Sequence, residues 1–74
     1  MEAIKQGTST DGIKYRMLCW TACNERFYEI EYLEIFYYDD GTRCECWYPA
    51  YEPQKIFTDM EKALKAWSYF LIPY

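Results

Sequence analysis

At 74 residues the chain is one small domain, and a core of that size supplies only a few kcal/mol before a staple or a partner helps. Charged residues at 27% and a mean hydropathy of −0.44 point away from a membrane protein. A 51% apolar content argues against disorder, and a net charge of −4 with no histidine argues against a nucleic-acid binder or a histidine-based catalyst.

Residues 1–12 end in Gly7-Thr8-Ser9-Thr10-Asp11-Gly12, a turn-forming cluster. This arm reads as weakly ordered, or at most as a short edge strand that would be a fourth. It has no apolar run of the kind that centres a signal peptide, and no window approaches the ~18 apolar residues of a spanning helix. The expectation is an intracellular chain, cytoplasmic, with reduced thiols. Residues 13–20 then alternate, with Ile13, Tyr15, Met17 and Cys19 on one side and Lys14 and Arg16 on the other, which predicts a strand. Thr21 to Arg26 reads as a loop.

Residues 27–38 predict a second, long strand. Its first half alternates Tyr28, Ile30 and Tyr32 against Glu29 and Glu31, and its second half alternates Leu33, Ile35 and Tyr37 against Glu34, Phe36 and Tyr38. A one-residue bulge near Tyr32-Leu33 would put both apolar sets inside and the three glutamates outside. Asp40-Gly41 signals a two-residue hairpin turn, leading into a strand over 42–48. That turn would pair Tyr37 with Cys44, Ile35 with Cys46 and Leu33 with Tyr48 inward. Tyr38 with Arg43, Phe36 with Glu45 and Glu34 with Trp47 would then face outward.

Two prolines stiffen residues 48–54. Thr58-Asp59-Met60-Glu61 matches a capping box with Thr58 as the cap, and Met60, Ala63, Leu64, Trp67 and Leu71 follow at helical spacing. The helix, over 58–71, should end before Pro73. The fold class is therefore α+β: a three-stranded antiparallel meander with one C-terminal helix on its inner face.

Four cysteines suggest zinc, but Cys19-x-x-x-Cys23 and Cys44-x-Cys46 lack the usual knuckle spacing. The meander also separates the two pairs by on the order of 20 Å. Cys19, Cys44 and Cys46 read as small core residues, Cys23 as an exposed loop residue, and no metal or other cofactor is expected. Asp39-Asp40 reads as turn chemistry rather than a catalytic pair. With no phosphate loop among three glycines, no enzyme is expected.

The open sheet face is the informative surface. Glu29, Glu31, Glu34 and Glu45 share it with Phe36, Tyr38 and Trp47 on this register, and Lys14 and Arg16 rise beside Glu29 and Glu31. Tyr and Trp are the residues enriched at binding hot spots, and a contiguous aromatic patch marks an interaction site. Those seven residues are the candidate partner-binding set, for a basic partner or a second copy in a homodimer. The eight basic residues look scattered, so direct nucleic-acid contact is not expected.

The strand ending Tyr37-Tyr38-Asp39-Asp40-Gly41, its return strand, and Phe57-Thr58-Asp59-Met60-Glu61-Lys62-Ala63-Leu64-Lys65-Ala66-Trp67 resemble many small phage-encoded proteins. In overall character the chain is similar to the small acidic anti-CRISPR proteins. The resemblance covers mainly the second half of the chain and rests on a generic hairpin and helix. It implies a non-enzymatic inhibitor, acting in the host cytoplasm, of a bacterial nucleic-acid-handling protein or ribonucleoprotein complex. Such inhibitors share no site motif, so no residue roles carry over. A net charge of −4 is modest for a DNA mimic, which shifts weight to the aromatic contacts.

Overall fold

A computed structural model describes residues 1–71. Four antiparallel strands, β1 (Glu2–Thr8), β2 (Lys14–Ala22), β3 (Glu25–Tyr37) and β4 (Arg43–Pro49), lie in the order β1-β2-β3-β4, and α1 (Met60–Leu71) follows. The fold is α+β, an open antiparallel sheet with one C-terminal helix. The N-terminal arm forms the fourth strand, seven residues at the sheet edge, with a register shift between Ala3 and Lys5. Pro73 lies outside the described residues. Among those described, no helix is long and apolar enough to cross a membrane.

The helix packs on the sheet face that carries Met17, Tyr28 and Ile30. Ala63 and Ala66 are buried along with Trp67, and small residues there let the helix axis approach the strands closely. Met17 and Ile30 are the largest fully buried side chains, each worth roughly 1.5–3 kcal/mol of transfer free energy. Tyr15 closes one side against Phe70, with ring centroids 4.8 Å apart. Phe57 extends the sheet by exchanging two 2.8 Å backbone hydrogen bonds with Tyr28.

Four local expectations are corrected. The 21–26 loop is a two-residue turn at Cys23-Asn24, both at positive φ (52° and 62°), with Ala22 paired to Glu25; asparagine tolerates this conformation. β3 carries no bulge at Tyr32-Leu33, because its register with β2 and with β4 runs through without a shift. The β3–β4 loop has three residues rather than two. The Tyr38 N–H donates to the Thr42 carbonyl (2.9 Å), the Gly41 N–H donates to the Tyr38 carbonyl (2.9 Å), and Gly41 sits at φ 85°. Lastly, Asp59 rather than Thr58 caps α1: its Oδ1 accepts from the Glu61 N–H at 2.9 Å and its carbonyl from the Ala63 N–H at 3.0 Å. A carboxylate complements the helix dipole better than a hydroxyl.

The extra loop residue moves every β3–β4 pair by one. Tyr37 lies opposite Arg43, Phe36 opposite Cys44, Ile35 opposite Glu45, Glu34 opposite Cys46 and Leu33 opposite Trp47. Strand side chains alternate with period two, so a one-residue slip exchanges the two faces of β4.

Candidate functional site: the projecting β3–β4 hairpin

A 13-residue strand such as β3 runs about 43 Å at ~3.3 Å per residue, whereas a 12-residue helix reaches only about 18 Å. The helix covers the half of β3 around Tyr28 and Ile30, and the far half projects with β4 beyond it. This mismatch shapes the molecule, whose principal extents are 45 × 33 × 22 Å.

The seven sequence-selected residues do not form one face. Glu29, Glu31, Glu45 and Trp47 lie on the face opposite the helix, while Glu34 and Phe36 lie on the helix-side face beyond the helix's reach, and Tyr38 stands at the loop. Continuous alternation through β3 causes this split.

Several of the seven are already engaged. Glu29 is only 5% exposed, and its Oε2 accepts a hydrogen bond from Gln54 Nε2. Glu31 pairs with Arg16, whose Nε and Nη2 each lie 2.8 Å from Oε1. The same guanidinium sits 4.2 Å above the centroid of Trp47, so Trp47 is half-buried instead of free. Glu45 faces solvent and pairs with Arg43 at 2.7 Å.

What remains open is concentrated on the hairpin. Of the ten large hydrophobic side chains exposed among the described residues, Ile35, Phe36, Tyr37, Tyr38 and Tyr48 are all here, Tyr37 at 72% and Tyr38 at 59%. They coat both sides of the ribbon: Ile35 and Tyr37 on one, and Phe36 and Tyr48 on the other, where their rings meet edge to face at 6.4 Å. Ile35, Tyr37 and Tyr48 were assigned inward by the sequence phase. The strand-to-helix length ratio was the signal that could have placed Tyr48 outside, whereas Ile35 and Tyr37 face away from the helix because alternation runs through β3 without a bulge.

Charge follows the same segment. Residues 33–48 carry four carboxylates (Glu34, Asp39, Asp40, Glu45) against one guanidinium (Arg43), and so hold most of the chain's net negative charge. The Thr42 N–H donates to Asp40 Oδ1 at 2.8 Å, and hydrogen bonds from Thr42 hold the Asp40 carboxyl below its ordinary value. The neighbouring hydroxyls move the other way. Burial, then Glu34, raises the Tyr32 value, while hydrogen bonding to Cys44 raises that of Tyr38. Both stay protonated at neutral pH, and the Tyr32 hydroxyl donates to Glu34 Oε1 at 3.4 Å.

Cys44 and Cys46 are half-buried on the hairpin rather than in the core, with Sγ atoms 3.7 Å apart on one face of β4. Hydrogen bonding to Cys44, followed by burial, holds the Cys46 thiol above its ordinary value. All four cysteines are free thiols. Among the described residues, no three His, Cys, Asp or Glu side chains gather as ligands for a metal ion.

No family model, curated protein or solved structure matches the chain.

Proposed function

We propose that this chain is a non-enzymatic binding protein that inserts its acidic, aromatic β3–β4 hairpin into a basic groove of a protein partner. Five exposed hydrophobic side chains on a ribbon that holds most of the net negative charge carry this reading. Phe36, Tyr37 and Tyr38 supply the buried apolar area, with Ile35 and Tyr48 beside them. Glu34, Asp39, Asp40 and Glu45 orient the approach and raise the association rate. Trp47, Glu29 and Glu31 are support for the ribbon and drop out of the contact set.

A groove lined by Lys and Arg is what a nucleic-acid-handling complex presents to its substrate. The resemblance to small acidic anti-CRISPR proteins fits an inhibitor that blocks such a bacterial complex in the host cytoplasm. A photo-crosslinking residue at position 37 tests this in bacterial lysate. The reading expects one adduct, with a nucleic-acid-processing protein, that high salt suppresses. Adducts formed only with the chain itself would overturn it.

A second reading, a homodimer, is favoured by β4, which among the described residues pairs only with β3 and leaves its other edge unpaired over 43–49. Sedimentation over a concentration series separates the two readings, because a constant monomer mass excludes the dimer.

A further inference from the structure

The eight basic residues are scattered along the chain, yet the fold brings three of them to one concavity. An open cavity of about 470 Å³ lies between the segment 51–58 and α1, and Lys55, Lys62 and Lys65 line it with Tyr51, Thr58 and Tyr69. Lys62, Lys65 and Tyr69 fall at i, i+3 and i+7, one stripe of the helix, beside the stripe of Ala63, Ala66 and Trp67 that is buried on the sheet. Burying that second stripe therefore fixes where the two lysines stand.

The charge of this cavity is unbalanced. Neither Lys62 nor Lys65 makes an ion pair among the described residues, where the ion pairs are Arg16–Glu31 and Arg43–Glu45. Lys55 Nζ is held over two rings, 5.4 Å from the Tyr51 centroid and 5.2 Å from that of Phe57. One carboxylate, Asp59, lines the cavity, and it is occupied in capping the helix. Three ammonium groups against one carboxylate leave a positive cavity in an acidic chain.

Apart from Thr58, the remaining lining is largely apolar. Ile56, Phe57, Ala66 and the Tyr51 ring form a wall, and the exposed Tyr69 ring stands at the rim. Burial, with Tyr69 beside it, raises the Tyr51 value, so that its hydroxyl remains a donor. Small-ligand sites combine this kind of apolar wall with a few convergent polar groups at volumes of roughly 300–1,000 Å³.

We propose that this cavity binds a nucleotide, its phosphate held by Lys62 and Lys65 and its base resting on the exposed Tyr69 ring at the rim. A single nucleotide answers to the local charge, whereas a polynucleotide would also meet the repulsion of a chain with net charge −4. The site is separate from the hairpin and does not depend on the function proposed for it.

Titration of the ¹⁵N-labelled protein with AMP, with inorganic phosphate and with adenosine tests the assignment by amide shifts. AMP should give saturable shifts over residues 55–69, and each of the other two should bind at least about tenfold more weakly. Lys62→Ala/Lys65→Ala should weaken AMP by about tenfold or more, the loss of roughly one charge-assisted hydrogen bond. Both lysines are exposed, so the fold survives the change and circular dichroism verifies it. No saturable shift at about millimolar AMP, or an unchanged affinity in the double variant, would overturn the site. Phosphate binding as tightly as AMP would overturn the nucleotide assignment.

Discussion

The guanidinium of Arg16 lies 4.2 Å above the ring of Trp47, joining β2 to β4 across the face of β3. Glu31, on the intervening strand, completes the stack through its 2.8 Å ion pair with Arg16. Trp47 is thereby a clamp between strands instead of an anchor for a partner. Trp47→Ala should cost about 1–2 kcal/mol, the sum of a partly exposed cation–π contact and lost packing. Chemical denaturation measures this, and a change within ~0.3 kcal/mol would contradict the clamp.

Gly7 of β1 faces Leu71 and Trp67 of the helix. A Cβ at this position would stand 2.8 Å from Leu71 Cδ1 and 3.6 Å from Trp67 Cζ2. Because the nearer atom is the end of a flexible side chain, Gly7→Ala should be absorbed by rotation of Leu71. Gly7→Val adds bulk that the Trp67 ring cannot evade and should destabilise by roughly 1–3 kcal/mol. Equal melting temperatures for the two variants would show that β1 and α1 are not packed this way.

Cys44 and Cys46 stand side by side on one face of β4. With sulfurs 3.7 Å apart, they should bind a trivalent arsenical one-to-one, and either Cys→Ser change should abolish its retention. Cys46 should also alkylate more slowly at mildly alkaline pH than a free thiol, its half-maximal rate lying above pH 9.0. Mass spectrometry of the labelled peptide settles both points, and an arsenical retained by Cys46→Ser would contradict the geometry.

Asp40 gives the loop a pH dependence of defined sign. Its carboxyl value is lowered in the folded state by the Thr42 hydrogen bonds. The stabilisation is therefore complete above the unfolded value, near 3.8, and is lost as pH falls through the lower folded value. A carboxyl titration by NMR should have its midpoint below 3.8, with the Thr42 amide moving in step. A midpoint at or above 3.8 would show that the loop hydrogen bond does not form in solution.

The alternation of Ile13 to Cys19 and of Tyr28 to Tyr32, and the apolar stripe through Ala63 and Trp67, were legible because each face is driven by burial. The register of β4 was not. Asp-Gly serves both a two-residue turn and a three-residue loop with glycine at positive φ, and the second form occurs twice here. Ser9 and Ile13 close around Gly12 (φ 87°) as Tyr38 and Thr42 close around Gly41. One residue of loop length moved Cys44 and Cys46 away from Tyr37 and Ile35 and onto the face of Phe36. The bulge assigned to Tyr32-Leu33 followed from requiring every glutamate on one side. Beyond the end of the helix that requirement lapses, and Glu34 is free to share a face with Ile30. The lysine cavity was hidden for another reason: Lys55 meets Lys62 and Lys65 only after the chain has folded back over the helix.

On the proposed reading the hairpin tip, and not the flat sheet face, meets a partner. Affinity capture with three matched baits tests it most directly: the natural chain, Phe36→Ser/Tyr37→Ser, and Trp47→Ala, each shown to be folded by circular dichroism. One nucleic-acid-handling complex should be retained by the natural chain and by Trp47→Ala, and lost from the hairpin double variant. Retention by the double variant, or loss from Trp47→Ala while it remains folded, would return the interface to the sheet face and contradict the claim.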